Sequence, residues 1–166
     1  FANCTLQQFS NGILIISHAT NNNIINCNIF DNENALDIRM NSNTNLITNC
    51  NIYSNLQGIK IWQNSNNNTI YLNNMFKNDN NAIDEGTNQW DNELQGNYWD
   101  IYQGIDTNQD GIGDAPFIIS DQSADRFPYI TMLLANVIIA PTDIKQITST
   151  ADSTPTFTWN SVIYSK

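Results

Sequence analysis

The stretch from Asp106 to Asp114, which reads DTNQDGIGD, has the residue types and the spacing of a loop that binds a metal ion. Oxygen-bearing side chains occupy its first, third, fifth and ninth positions, Gly111 permits a sharp turn at the sixth, and the seventh can offer its backbone carbonyl. Hard oxygen ligands of this kind favour calcium. The predicted ligands are Asp106, Asn108, Asp110, Ile112 and Asp114.

The loop differs from an EF-hand, which requires a glutamate at position twelve, where this chain has Phe117. Asp121 or Asp125 would therefore have to complete the calcium shell from further along the chain. The alternative is that no ion binds and that the aspartates cap Asx-turns. The calcium ion would have a structural role.

A second group of polar side chains is predicted on one outward face. Alternation of apolar residues turns Asp37 and Arg39 outward, and 23 residues later the same positions hold Lys60 and Trp62. An indole beside charged groups is a platform for a pyranose ring, so these four residues are the predicted carbohydrate-binding site.

The same face also resembles the arrangement that a polysaccharide lyase needs, with calcium neutralising a uronate and a basic group taking the C5 proton. A third interpretation is an exposed ion pair worth about 0.2–1 kcal/mol beside a surface aromatic. The sequence favours these non-catalytic interpretations, and no catalytic residue is assigned.

An internal repeat must position both sites. Residues 26–45, NCNIFDNENALDIRMNSNTN, align with residues 49–68, NCNIYSNLQGIKIWQNSNNN, at a spacing of 23. Alternating apolar residues punctuated by Asn, Ser and Gly indicate short strands and turns. One such unit cannot bury its apolar side alone, so successive units must stack. The sequence therefore predicts an all-β fold, a right-handed parallel β-helix with about 23 residues per coil.

Stacking places equivalent residues about 4.8 Å apart and turns each register match into a ladder. Asparagine ladders are expected where strands bend, because the side chain can bond the turn backbone and its neighbours above and below. The expected ladders are Asn22, Asn45 and Asn68, and Asn32, Asn55 and Asn78. Asparagine is therefore expected to be structural.

Three cysteines, Cys4, Cys27 and Cys50, share the same spacing and are expected to point inward as free, buried thiols. A disulfide is disfavoured, because an inward ladder rarely supplies the required dihedral angle and three is an odd number. Zinc is disfavoured because no CxxC motif or histidine partner accompanies them.

The repeat stops after Asp84, and an aromatic and acidic segment follows. An open β-helix end exposes apolar columns and strand edges, so this segment is predicted to be a C-terminal cap with Trp90, Tyr98, Trp99 and Tyr102 supplying the area. The predicted units are coils over 1–87, a capping region over 88–135, a linker over 136–143 and the start of a truncated module over 144–166.

Charge excludes some partners. The net charge is −10, from sixteen acidic and six basic residues, so nucleic acid and anionic membrane surfaces would be repelled. Eleven of the carboxylates lie between Asp79 and Asp125, and such a cluster favours cations. No stretch approaches about 18 uninterrupted apolar residues, so no membrane insertion is predicted for this segment.

The stretches NQWD, GNYWDIYQG, DTNQDGIGDAPFII and DRFPYI, following asparagine-rich coils, resemble the terminal signature of NosD-like β-helix proteins. These are also described as carbohydrate-binding and sugar-hydrolysis domains of archaeal and bacterial surface proteins. The resemblance covers residues 1–130. It implies the fold, contact with polysaccharide and an exported location, extracellular or at the cell surface, or else in the periplasm.

The name-giving members are periplasmic proteins tied to copper insertion into nitrous oxide reductase. This chain has one histidine and three scattered methionines, so no soft-ligand copper site is visible. Copper binding is therefore an alternative that the residues do not favour.

The tail, with PTFTWNSV, resembles the opening strands of a fibronectin type III or immunoglobulin-like domain. Some twenty-five residues cannot close a sandwich that takes ~100, so the tail is expected to be a truncated, β-sandwich-like piece. Further domains of the same chain are expected on both sides.

Taken together, the residues predict a non-catalytic β-helix module of a secreted or cell-surface protein, with a structural or display role and with a polysaccharide or cell-envelope glycan as its partner. One alternative is a polysaccharide lyase or glycoside hydrolase module. The other is a periplasmic copper-binding maturation factor.

Overall fold

The structure is a computed structural model that describes residues 1–134. Within that range it contains fourteen short strands and almost no helix. The predicted linker over 136–143, the predicted module over 144–166 and the last residue of the predicted cap lie outside the described residues, so those boundaries stay predictions.

Each coil contributes three strands in the same order. The first coil holds β1 (Thr5–Gln7), β2 (Asn11–Ile15) and β3 (Asn23–Ile25). The second holds β4 (Asn28–Phe30), β5 (Asn34–Ile38) and β6 (Leu46–Thr48). The third holds β7 (Asn51–Tyr53), β8 (Gln57–Ile61) and β9 (Thr69–Tyr71), and the fourth begins with β10 (Asn74–Phe76) and β11 (Asn80–Asp84). Three two-residue strands follow, namely β12 (Tyr98–Trp99), β13 (Phe117–Ile118) and β14 (Ala124–Asp125).

The coils stack into three parallel sheets. Their strand orders are β1-β4-β7-β10-β12, β2-β5-β8-β11 and β3-β6-β9. Residues pair with those 23 positions further on, as Leu6 does with Ile29 and Leu36 with Ile59. This confirms the parallel β-helix of about 23 residues per coil that the sequence predicts.

Apolar columns fill the interior between the sheets. Ile24, Ile47 and Ile70 form one such column, and none of the three is accessible to solvent. Each isoleucine is therefore covered by its counterparts in the neighbouring coils as well as by the other two sheets. Full burial is worth about 1.5–3 kcal/mol for a side chain of this size, so the repeat itself supplies the hydrophobic driving force.

The bends between strands use left-handed backbone conformations at the period of the repeat. Asn3, Asn26 and Asn49 have φ values of 54°, 55° and 56°. Asparagine is one of the few residues with a side chain that adopts this conformation readily, because its short amide can bond to nearby backbone. The abundance of asparagine is thus partly a requirement of the bends.

The two predicted asparagine ladders are present. The Asn32 backbone N–H donates to Asn55 Oδ1 at 3.0 Å, and the Asn55 backbone N–H donates to Asn78 Oδ1 at 3.0 Å. The Asn55 side-chain Nδ2 also donates to the Asn78 oxygen at 2.9 Å. The same pattern runs through the second ladder, which the structure extends by one member: Asn22, Asn45, Asn68 and Asn88.

A third ladder contains the cysteines and was not predicted from the sequence. The Cys27 backbone N–H donates to Cys50 Sγ at 3.4 Å, and the Cys50 backbone N–H donates to Asn73 Oδ1 at 2.9 Å. The Asn73 backbone N–H in turn donates to Asn97 Oδ1 at 3.1 Å. The thiols therefore stand in an asparagine column. Cys27 and Cys50 are free and buried, as expected, whereas Cys4 is free but only partly buried.

Each of these three ladders ends on an aspartate. A carboxylate suits this position because it only accepts hydrogen bonds, and the last amide of a ladder still has donors to satisfy. Asn88 Nδ2 donates to Asp84 Oδ1, and the Asn97 N–H donates to Asp125 Oδ2, each at 2.7 Å. In the remaining ladder Asn78 Nδ2 donates to Asn81 Oδ1, and Asn81 Nδ2 donates to Asp100 Oδ1, each at 2.9 Å.

The same aspartates fasten two tryptophans over the apolar columns. The indole N–H of Trp90 donates to Asp84 and that of Trp99 donates to Asp125, each at 2.8 Å. Both rings are buried, with centroids 5.6 Å apart, and Phe117 stacks on Trp99 at 4.4 Å. These rings cover the end of the helix, as the sequence predicts for Trp90 and Trp99.

We expect Asn55→Ala to lower the free energy of unfolding by about 3 kcal/mol, because it removes the acceptor for the Asn32 N–H and leaves a buried donor unpaired. Urea denaturation measures this loss. The matched control is Asn23→Ala, an exposed asparagine whose loss should change stability by less than about 0.5 kcal/mol. Equal effects of the two changes would contradict a ladder that supports the fold.

Stability should also depend on Asp125 in a defined pH range. Burial raises the pKa of Asp125 to about 6, against the hydrogen bonds from Trp99, Asn97 and Phe127. The unfolded pKa is about 3.9, so the stabilising contribution is fully present below about pH 4 and is lost as the pH rises through 6.

Relative to Asp125→Asn, the unchanged protein should therefore lose on the order of 2 kcal/mol of stability between pH 4 and pH 7. Chemical denaturation at several pH values measures the difference. Asp31→Asn, at an exposed bend, is the control and should show no such trend. A flat difference for Asp125→Asn would show that the carboxyl does not titrate in this range.

Candidate functional site

The structure brings together the four residues of the predicted carbohydrate site. Asp37 lies in β5 directly opposite Lys60 in β8. Arg39 and Trp62 immediately follow the ends of those two strands. The parallel register thus places all four side chains on one face, over two adjacent coils, and we refer to them as the Trp62 cluster.

The carboxylate of this cluster is shielded. Asp37 is only 4 % exposed, although it occupies an outward position of the strand. The Trp62 indole N–H donates to Asp37 Oδ1 at 2.8 Å, and Arg39 Nε lies 3.6 Å from Asp37 Oδ2. This hydrogen bond orients the indole ring, because the ring has a single N–H donor and that donor is bound to Asp37.

Two cations lie over the indole ring. The Lys60 ammonium is 4.2 Å and the Arg39 guanidinium carbon 5.6 Å from its centroid. Such contacts are worth about 0.5–1 kcal/mol at exposed sites and more when water is excluded. Within residues 1–134 the ion pairs are those of Arg39 with Asp37 and of Arg126 with Asp91, so the Lys60 ammonium has an aromatic partner rather than a carboxylate.

Within residues 1–134 the Arg39 guanidinium does not have hydrogen-bond partners for all of its donors. Its Nε is buried and has no hydrogen-bond partner in the described part of the chain, while its side chain keeps 28 % of its surface exposed. Arginine presents a planar fork of donors that matches a carboxylate or a phosphate. The cluster therefore has the chemistry to hold an anionic group near Lys60 and Arg39, next to an oriented aromatic ring.

The predicted calcium loop is exposed and makes its own hydrogen bonds. Asp106 accepts from the backbone N–H groups of Asp110 at 3.2 Å and of Gly111 at 2.9 Å. Asp110 accepts from the Ile112 N–H at 2.9 Å, and Asp114 from the Thr107 N–H at 3.0 Å. Gly111 has a φ of +89°, so the sharp turn falls where the spacing predicted it.

These bonds are those of the Asx-turn alternative, and calcium binding at this loop stays a prediction. Residues 1–134 contain no group of three or more His, Cys, Asp and Glu side chains placed to share a metal ion. Asp125 is fully buried at the end of the third ladder, so it is not free to complete a calcium shell.

Four of the eleven clustered carboxylates, which were predicted to favour cations, have structural roles instead. Asp84, Asp100 and Asp125 end the three ladders, and Asp91 pairs with Arg126. Burial would raise the pKa of Asp91, but hydrogen bonds from Arg126 and from the Glu93 N–H outweigh it and lower the pKa. No spacing in the sequence marks these roles, because Asp84 lies within β11 and Asp125 within β14, far beyond the last repeat.

Stacked coils with inward apolar columns, ladders at the bends and a tryptophan-covered end define a parallel β-helix protein. The chain belongs to the NosD family, since the family model described as periplasmic copper-binding protein (NosD) matches residues 1–104. The match ends before the predicted calcium loop. No curated protein matches the chain.

The family description agrees with the expected location outside the cytoplasm, in the periplasm or beyond the cell. A cell-surface location stays a prediction. Across residues 1–134 there is no helix of the length and apolar character that a membrane crossing needs.

The described residues do not fit a copper centre of several ligands. The soft donors are separated: Met40 is partly exposed, Met75 is buried in the core and His18 lies on an exposed bend. The thiols stand in the third ladder, without histidine or methionine partners placed to share a metal ion. The soft donors of the described residues therefore do not assemble a copper site.

We expect calcium to bind the loop from Asp106 to Asp114 with a Kd of roughly 0.1–10 μM, the range of sensor-type oxygen sites. Calorimetric titration of EDTA-treated protein measures binding, and the melting temperature should rise when calcium is added. Asp110→Ala should abolish both effects, and Asp31→Asn, with the same change of charge on a distant bend, should leave both intact. Absence of any heat would leave the loop as a hydrogen-bonded turn.

Proposed function

We propose that this chain is a non-catalytic β-helix module of an exported protein, and that it binds an acidic polysaccharide through the Trp62 cluster. The supporting observation is the placement of two cations over an indole whose N–H is fixed by a buried carboxylate. The display role follows from the scaffold, which offers a regular outer surface from a rigid core.

The cluster favours an acidic sugar over a neutral one. Lys60 lacks a carboxylate partner within residues 1–134, and the Arg39 side chain keeps 28 % of its surface exposed. A uronate carboxylate would accept hydrogen bonds from these two cations, while its ring could pack at the edge of Trp62. The overall charge of −10 would oppose a polyanion, so binding must depend on this local excess of positive charge and should weaken with salt.

A binding role fits the cluster better than a lyase role. A lyase would need the carboxylate to hold calcium and a basic group to approach the C5 proton. Asp37 is shielded and already accepts from Trp62, and Lys60 lies over the ring. The lyase therefore remains the alternative function, and turnover separates it from binding.

Affinity electrophoresis in polygalacturonate, a polymer of uronic acid, tests the proposal. Lys60→Gln should weaken binding by about tenfold, which corresponds to about 1.4 kcal/mol. Lys77→Gln makes the same change of charge at an exposed bend and should have no effect. A neutral galactan should bind weakly or not at all.

Equal losses in Lys60→Gln and Lys77→Gln would contradict a specific site and leave only general attraction between charges. Calcium-dependent release of unsaturated sugars, abolished in Lys60→Gln, would instead establish the lyase. Absence of binding to acidic and neutral polymers alike would overturn the polysaccharide proposal and leave the structural role.

A further inference from the structure

The first two thiols of the third ladder are in contact. Cys4 Sγ and Cys27 Sγ lie 2.7 Å apart, which is closer than the sulfur atoms of two separate thiols usually approach. Both side chains point into the same column at the first two coils. Cys50 continues the column, but its Sγ receives the Cys27 backbone N–H instead of facing a thiol at such short range.

The backbone places this pair within bridging range. The coils are in register from Thr5↔Asn28 onward, so Cys4 and Cys27 immediately precede paired residues. Adjacent strands are about 4.8 Å apart, and disulfides join Cα atoms separated by about 4.4–6.8 Å. Both cysteines follow a bend residue with positive φ, at 54° and 55°, and neither lies within a strand. Strand pairing therefore does not constrain the backbone of either cysteine directly.

The three thiols differ in reactivity. Hydrogen bonds from the Cys50 and Cys4 thiols lower the pKa of Cys27 to about 5, against the effect of burial. Burial and the neighbouring Cys27 raise the pKa of Cys4 to about 11. The hydrogen bond with Cys27, together with burial, raises the pKa of Cys50. Cys4 is the partly exposed member of the pair.

We propose that Cys4 and Cys27 form a reversible disulfide that joins the first coil to the second, and that Cys50 stays a thiol. The co-reactant is a small or protein disulfide. One sulfur–sulfur bond forms between the two cysteines, two electrons and two protons leave their thiols, and the co-reactant is reduced to two thiols.

The bridge would join the first coil to the second. It closes a loop between positions 23 residues apart, and such a constraint stabilises the folded state chiefly by restricting the unfolded chain. A disulfide there would hold the first coil against the second under oxidising conditions.

Thiol mapping of the unchanged chain tests the proposal. The protein is equilibrated in glutathione buffers of increasing disulfide content, quenched in acid, denatured, alkylated and digested with trypsin. Cleavage after Arg39 and Lys60 leaves Cys4 and Cys27 in one peptide, 1–39, and Cys50 in the next, 40–60. We expect peptide 1–39 to lose two hydrogens and escape alkylation, while peptide 40–60 remains alkylated.

Variants and melting curves supply the controls. Cys4→Ser should abolish the oxidation of peptide 1–39, and Cys50→Ser should retain it. Oxidation should raise the melting temperature of the unchanged chain and of Cys50→Ser by several degrees.

Alkylation of both cysteines in peptide 1–39 at every buffer ratio would overturn the proposal. A link between peptides 1–39 and 40–60 would do the same, as would a link between two chains on a non-reducing gel.

Discussion

The hydrogen bond from a backbone N–H of one coil to an asparagine Oδ1 of the next is the interaction on which this structure depends. At the bends the strands separate, and the backbone donors would otherwise be buried without partners, at a cost of about 1–3 kcal/mol each. Asparagine supplies the acceptor, and its own Nδ2 donates onward to the following member, as in the bonds from Asn32 to Asn55 and from Asn55 to Asn78. The bends can therefore be tight without leaving polar groups unpaired, and the isoleucine columns between them stay closed to water.

A ladder of this kind has a direction, and this explains how it ends. Each asparagine Oδ1 accepts from the coil before it, and each backbone N–H donates to the acceptor in the coil after it. The last member therefore needs an acceptor from outside the repeat. Asp84, Asp100 and Asp125 meet that need, and the first and last of them also hold the indole N–H groups of Trp90 and Trp99. The end of the polar network and the cover over the apolar core thus depend on the same carboxylates.

The Trp62 cluster shows how a candidate site is built on such a scaffold. The parallel register alone places Asp37 opposite Lys60 and brings Arg39 and Trp62 to the same face. The hydrogen bond from the Trp62 indole to Asp37 distinguishes the cluster from a row of surface residues. It orients the ring, and it leaves Arg39 and Lys60 without full carboxylate partners within residues 1–134. The rigidity needed for recognition therefore comes from the ladders and columns behind the face, not from the cluster itself.

The sequence by itself determined the parallel β-helix, its period and two of the three ladders that end on aspartates, because stacking identical units turns a 23-residue repeat directly into spatial neighbours. It also placed Asp37, Arg39, Lys60 and Trp62 on one face for the same reason. Tertiary structure alone decided the contacts that depart from the repeat. One is the third ladder, in which Asn73 and Asn97 follow Cys27 and Cys50 in the same column. The other is the burial of the cap aspartates. The contacts of Asn97 with Asp125 and of Asp91 with Arg126 span about thirty residues that have no periodicity, so no spacing in the sequence predicts them.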